Sequence, residues 1–109
     1  MYNNSILSED KYFEKRGSIY TIYDKRQMPV ECDFVQDKIS KSYQGVIRGF
    51  HGDNNTWKLI TCLHGRVKLV TFNVDTDEKN VYFLDGDDNK TNSILVPPRT
   101  LIEIIMLNH

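Results

Sequence analysis

Residues 57–75, WKLITCLHGRVKLVTFNVD, decide the fold class of this chain. Two runs rich in β-branched and aromatic residues flank His64 and Gly65, a pair that suits a tight turn. In the second run apolar side chains alternate between two faces, which is the period of a β-strand. We therefore predict a β-hairpin that turns at His64–Gly65. The two faces of the second run carry Val70, Phe72 and Val74 on one side, and Val67 and Leu69 on the other.

The same rhythm of short extended runs and turns continues on both sides of this stretch, and no segment shows a helical period over more than about one turn. Regularly spaced short strands predict an all-β sandwich or barrel. We expect one domain over residues 1–109, in which residues 1–12 form either a flexible arm or an extra strand. The predicted strands are SIYTIYD (18–24), CDFVQDKIS (32–40, a weaker run), GVIRGF (45–50), VYFLDG (81–86), ILVPP (94–98) and TLIEIIML (100–107).

Composition excludes several function classes. The chain carries 14 Lys+Arg against 15 Asp+Glu, so bulk charge does not favour binding to nucleic acid or to a membrane surface. No apolar run approaches the roughly 18 residues of a membrane span, and the N-terminal residues lack the features of a secretory signal. Cys32 and Cys62 match no metal-binding or redox spacing. We expect a cytoplasmic protein with reduced thiols.

One stretch, GVIRGFHGDNN (45–55), places an arginine and a histidine among three glycines. Arg48 can bind an anion and His51 can carry a proton near neutral pH. On a regular strand these two side chains would point to opposite faces, because they are three positions apart. A bulge at Gly49 would bring both to one face. Without it, they are ordinary exposed strand and turn residues.

Five pieces of the sequence, taken in order, resemble the dTDP-4-dehydrorhamnose 3,5-epimerase family. That family consists of double-stranded β-helix (jelly-roll) proteins of the cupin superfamily, and the resemblance covers roughly residues 16–98. Its most specific part is the RGxH pattern followed by KLI and GRV. The five pieces are KRGSI (15–19), VQDKISKS (35–42), GVIRGFH (45–51), WKLITCLHGRV (57–67) and FNVD (72–75).

The resemblance implies a reaction and a role for each matching residue. His51 matches the base that removes a proton next to the ketone of a nucleotide-linked 4-keto sugar, and Lys58 matches the lysine beside that ketone. Arg48 matches a residue that holds substrate and the developing oxyanion, while Arg16 and Gln36 match residues that bind the nucleotide diphosphate and sugar. The chemistry agrees, since an enolate needs a base and nearby cations. No cofactor is implied.

The resemblance also implies a homodimer in which a strand is exchanged between subunits. A chain this short buries only part of its unfolded surface, so a second copy would help to close the barrel. The segment SIYTIYD (18–24) is our candidate for the shared strand.

The chain departs from the family pattern near its C-terminal end. Arg99 stands where the family has glycine, and Ile102 stands where it has histidine. The family's tyrosine proton donor and the aspartate that pairs with the base lie further along than residue 109. Tyr43 or Tyr82 are candidates to replace the tyrosine, although no spacing selects either.

Three readings remain open at this point. The sequence is an incomplete version of a longer epimerase, a short isomerase of the sugar 3,4-ketoisomerase kind, or a ligand-binding cupin without turnover. We expect no bound metal, because the His-x-His pair and the later histidine of metal-dependent cupins are both missing.

Overall fold

Eight β-strands account for the regular structure of residues 2–108, the part of the chain that the computed structural model describes. Between β2 and β3 a short 3₁₀ turn covers Lys25–Gln27, and none of the described helical residues forms a helix able to span a membrane. The all-β prediction is therefore confirmed. The strands are β1 (Ser5–Glu14), β2 (Gly17–Tyr20), β3 (Ile47–His51), β4 (Lys58–Thr61), β5 (Arg66–Asn73), β6 (Lys79–Asp85), β7 (Lys90–Val96) and β8 (Thr100–Asn108).

The strands form two antiparallel sheets of four. The first sheet has the order β2-β1-β7-β4 and the second has the order β3-β8-β5-β6. Consecutive strands such as β3 and β4, or β7 and β8, therefore lie in different sheets. Each of these connections carries the chain from one sheet to the other, as in a jelly roll.

The core lies between the two sheets. Leu69, Leu84 and Ile102 of the second sheet pack with Ile94 and Val96 of the first, and all five side chains are at most 5% exposed. Leu69 pairs with Ile104 on one side and with Tyr82 on the other. The face of β5 that carries Val67 and Leu69 is thus the inner face, but burial does not alternate at the centre of the strand, where Leu69, Val70 and Thr71 are all at most 4% exposed.

The predicted hairpin at His64–Gly65 is wrong. β4 pairs with β7, whereas β5 pairs with β6 and β8, so the two runs belong to different sheets. The turn after β4 crosses between the sheets, with Gly65 at a φ of +75° that favours glycine. An alternating pattern identifies a strand but not the strand that lies beside it. Two consecutive apolar strands can bury their side chains equally well in opposite sheets, facing each other across the core, or side by side in one sheet.

Two further strand predictions need correction. Of SIYTIYD only residues up to Tyr20 are in a strand, because Asp24 caps the 3₁₀ turn that follows. The run CDFVQDKIS contains no strand, and its alternating Val35 and Ile39 are 90% and 81% exposed. The pattern of that run has no sheet to pack on within residues 2–108.

Residues 5–14 form an extra strand rather than a flexible arm. β1 pairs with β7 over six residues and with β2 over four. Just before it, the Asn4 side-chain nitrogen donates to the Thr71 hydroxyl (2.8 Å) and to the Tyr82 hydroxyl (3.0 Å) in the second sheet. A polar segment is therefore held by backbone pairing and by a polar contact across the interior.

Candidate functional site

A β-bulge shapes the strand that carries Arg48 and His51. Arg48 pairs with Ile104, and His51 pairs with Ile102, with a shift of register between them. Gly49 and Phe50 thus oppose the single residue Glu103. A Cβ atom at Gly49 would lie 2.8 Å from the Glu103 Cα, so glycine allows the close approach.

The bulge places Arg48 and His51 on the same face of the second sheet. Cross-strand partners in an antiparallel pair project to the same side, and Ile102 and Ile104 both pack on the core side. On a regular strand the two side chains would lie on opposite faces, but the extra residue of the bulge brings them to the same face. Of the two cases that the sequence left open, the one with a bulge at Gly49 is present.

Lys58 lies on the inner face of the opposite sheet. It is the first residue of β4 and pairs with Val96, which belongs to the core. Lys58 is half-buried, whereas His51 and the rest of β3 are exposed. β3 and β4 are each an edge strand of their own sheet, and residues 52–57 connect the end of β3 to the start of β4.

The guanidinium of Arg48 contacts the segment that precedes its own strand. Its Nε donates to the Ser42 hydroxyl at 2.7 Å, and Nη2 donates to the Lys41 carbonyl at 3.4 Å. Both contacts are exposed and involve neutral acceptors. An anionic ligand can therefore replace them at small cost, since a charge-assisted hydrogen bond is stronger than a neutral one.

Arg16 and Gln36 do not lie on these strands. Arg16 lies in the β1–β2 turn, pairs with Glu14 at 2.8 Å and has an 86% exposed side chain. Its turn follows the far end of β1, roughly 30 Å along the strand from Ser5 at about 3.3 Å per residue. Gln36 is exposed in the irregular segment before β3. The ligand-binding roles of both residues stay predictions.

Ile102, which we matched from the sequence to the family's later histidine, is a core residue. Ile102 is 5% exposed and is the cross-strand partner of His51. Among residues 2–108 no three His, Cys, Asp or Glu side chains are grouped to hold a metal ion.

The two candidate tyrosines differ in their placement. Tyr82 faces the interior, where its hydroxyl accepts a hydrogen bond from Asn4, whereas Tyr43 is 84% exposed. Tyr82 lies on β6, three strands away from His51 on β3 in the same sheet.

A polar cavity that the sequence did not predict lies beside Tyr82, on the side of the second sheet away from β3. It has a volume of about 100 Å³ and opens next to the contacts of Asn4. No sequence signal marks it, because its residues come from three separate segments and belong to no motif. Its lining consists of Asn3, Asn4, Thr71, Asn73, Glu78, Asn80 and Tyr82.

One known protein family matches this chain. The family model described as dTDP-4-dehydrorhamnose 3,5-epimerase matches residues 3–99. The chain belongs to this family. The resemblance seen in the five sequence pieces is therefore confirmed, whereas no curated protein matches the chain.

Solved structures of the epimerase family share the fold. The chain is 22% identical to the dTDP-6-deoxy-D-glucose-3,5-epimerase of Legionella pneumophila in complex with dTDP-4-keto-L-rhamnose, with a TM-score of 0.84 over 96% of this chain and 61% of that one. It is 26% identical to the dTDP-4-dehydrorhamnose 3,5-epimerase of Elizabethkingia anophelis, with a TM-score of 0.79 over 97% of this chain and 63% of that one. The chain thus spans about six tenths of the length of these epimerases.

A sugar 3,4-ketoisomerase from Thermoanaerobacterium thermosaccharolyticum, solved in complex with TDP, is also similar. The identity is 23% and the TM-score 0.72, over 97% of this chain and 73% of that one. These matches confirm the predicted cupin-like jelly roll. They do not choose between the two kinds of sugar isomerase.

Proposed function

We propose that this protein binds a nucleotide-diphosphate-linked 4-keto-6-deoxy sugar at the open edge of its barrel and isomerises it without a cofactor. His51 removes the acidic proton next to the ketone. Lys58 and Arg48 stabilise the negative charge that develops on the ketone oxygen, and Arg48 also holds the substrate. Arg16 and Gln36 bind the nucleotide diphosphate, within one chain or across two.

The placement of Arg48 and His51 on one inner face, opposite Lys58, carries this proposal. A base must reach the carbon while cations reach the oxygen of the same ketone, so the three groups must converge on one space. The membership of the epimerase family and the similarity to a 3,4-ketoisomerase support a keto sugar as the ligand. Both reactions begin with loss of a proton next to a ketone.

A binding protein without turnover is the second candidate. Ile102 beside His51 supplies no second proton carrier, and the tyrosine with an inner-facing hydroxyl, Tyr82, lies three strands away. A pocket that keeps its cations and lacks a proton donor would bind the sugar nucleotide and release it unchanged.

We also propose that the working form is a homodimer with an exchanged strand. The segment before β3 exposes Val35 and Ile39, and it has no strand partner within residues 2–108. This segment is a better candidate for the exchanged strand than SIYTIYD, because residues 18–20 of SIYTIYD already pair with β1 of the same chain. Sedimentation at micromolar concentration should show a dimer, and a monomer alone would contradict this proposal.

Proton exchange separates the two candidate functions. The protein is incubated in D₂O with TDP-4-keto-6-deoxyglucose, and the sugar carbons next to the ketone are followed by NMR. Deuterium should enter at one or both carbons at a rate that depends on protein concentration. Binding of TDP measured by calorimetry without any deuterium uptake would favour the binding protein, and the absence of both would reject both functions.

A further inference from the structure

The loop that joins His51 to Lys58, residues 52–57, is ordered by one of its own side chains. Asp53 Oδ1 accepts from the N–H groups of Asn55 (3.0 Å) and Thr56 (2.7 Å), and Oδ2 accepts from the Thr56 hydroxyl (2.7 Å). The hydroxyl bond is the main reason that the pKa of Asp53 lies below its ordinary value. The carboxylate is thus charged at neutral pH and holds the loop in one conformation.

The side chain of Arg99 ties this loop to a neighbouring turn. Its Nη1 donates to Asn54 Oδ1 in the loop at 2.9 Å. Its Nε and Nη2 donate to the two oxygens of Asp75, in the β5–β6 turn, at 2.8–3.0 Å. This fork lowers the pKa of Asp75 and raises that of Arg99.

The backbone of Arg99 makes the same connection a second time. Its N–H donates to the Asp53 carbonyl at 2.8 Å, and its carbonyl accepts from the Val74 N–H at 3.1 Å. One residue of the β7–β8 turn therefore joins the β3–β4 loop and the β5–β6 turn. These three connections lie at the end of the barrel where His51 and Lys58 lie.

Arg99 has a backbone conformation that is unfavourable for arginine, which indicates that the contacts of its side chain matter at this position. Its φ is +63°, a region that favours glycine and is unfavourable for an arginine. The guanidinium is occupied by Asp75 and Asn54, so it is not a free ligand for a phosphate. The contacts of the side chain all go to the connections that surround the site.

We propose that Arg99 is a positioning residue that fixes loop 52–57 and thereby sets the separation and orientation of His51 and Lys58. It touches neither residue and acts through Asn54 and Asp53. The effect of Arg99 on catalysis rests on the function proposed above. The placement of the loop itself can be tested separately.

The test compares three variants of the full chain with a matched control. Arg99→Gly removes the guanidinium and suits the backbone, Arg99→Lys keeps the charge without the fork, and Asp75→Asn keeps the arginine but weakens the pair. Arg26→Gly is the control, because Arg26 also forms a two-bond pair with an aspartate, Asp24, outside the site. The readouts are the His51 imidazole NMR signal, amide exchange of Asn55 and Thr56, and kcat and KM for deuterium exchange into the sugar.

We expect Arg99→Gly to speed amide exchange in the loop at least tenfold, to shift the His51 signal and to lower kcat about 5- to 20-fold, with KM within about threefold. Asp75→Asn and Arg99→Lys should give smaller changes of the same kind, and Arg26→Gly none. A parent-like His51 signal and kcat in Arg99→Gly would overturn the inference and leave Arg99 as a surface ion pair. If that variant does not fold, Asp75→Asn decides by the same criteria.

The proposed function can fail without the inference failing. If the parent exchanges no deuterium, a shifted His51 signal together with faster loop exchange still supports the positioning role. An unshifted signal in that case overturns it.

Discussion

His51 and Ile102 are cross-strand partners in the second sheet, and Ile102 is a core residue. The imidazole therefore projects from the edge of the barrel on the same side as the core, although β3 is exposed along its length. Its cross-strand neighbour is apolar, and among residues 2–108 no three His, Cys, Asp or Glu side chains are grouped to hold a metal ion.

Variants of His51 and of Arg48 should lose different properties, proton exchange in the first case and TDP binding in the second. His51→Asn keeps approximate volume but has no titratable nitrogen, so deuterium exchange should fall by about two to four orders of magnitude. Binding of TDP should stay within a few-fold. Arg48→Ala should instead weaken TDP binding roughly 10- to 100-fold, the worth of a charge-assisted hydrogen bond. Calorimetry and the exchange assay measure the two effects.

A control for the histidine is available on the surface. His64 is exposed and lies 3.3 Å from Asp87, at a turn away from β3. His64→Asn should therefore bind and exchange like the parent. If His51→Asn also did so, the stretch GVIRGFHGDNN would be only a strand and a turn.

The bulge should not tolerate a side chain at Gly49. In Gly49→Ala the new Cβ would lie 2.8 Å from the Glu103 Cα, so β3 must move away from β8. We expect the unfolding free energy to fall by about 1–3 kcal/mol in urea titration. Proton exchange should fall as well, because Arg48 and His51 lose their common face.

Gly17→Ala separates the clash from backbone strain. Gly17 also has a positive φ, +139°, but a Cβ there has no neighbour within 4 Å. It should lose less stability than Gly49→Ala and keep the proton exchange rate of the parent. Equal losses in the two variants would mean that the contact with Glu103 is unimportant.

Truncating the centre of the core should be costly. Leu69 is fully buried between Ile104 and Tyr82, so Leu69→Ala should lower the unfolding free energy by about 2–5 kcal/mol. Leu63, at 41% exposure, is a matched control, and Leu63→Ala should change stability by about 0.5 kcal/mol or less. Urea unfolding followed by tryptophan fluorescence measures both, and a small loss in Leu69→Ala would place the core elsewhere.

The Arg99–Asp75 pair should make the stability of the fold depend on pH in the acidic range. The guanidinium lowers the pKa of Asp75 in the folded protein from its ordinary value of 3.8. A carboxyl group whose pKa is lowered on folding stabilises the fold at pH values above its ordinary pKa of 3.8. This contribution is lost as pH falls through the folded pKa. The parent should therefore melt at a higher temperature than Asp75→Asn at pH 6, and the difference between the two melting temperatures should shrink as pH falls below 3.8. A constant difference across this range would contradict the assignment.

The sequence predicted the fold class and the approximate residues of β3, β5, β6 and β8, because these are short apolar runs rich in β-branched and aromatic residues and separated by turns. It failed on pairing, since the period of a strand does not say which strand lies beside it. The common face of Arg48 and His51 was predictable as soon as Gly49 was allowed to form a bulge. The roles of Arg99 and Asn4 were not, because their partners are far away in sequence and belong to no pattern.

The position of β8 in the second sheet has a consequence for synthesis on the ribosome. β8 lies between β3 and β5, yet residues 100–108 are made after both of its neighbours. Until they emerge, β3 lacks its partner in this sheet and β5 has one edge free, and unpaired edges of this kind attract other chains. A nascent chain that has exposed β3 and β5 but not yet β8 therefore has two free strand edges in this sheet and is prone to aggregate. Chaperone demand should fall once β8 has emerged and paired with both strands.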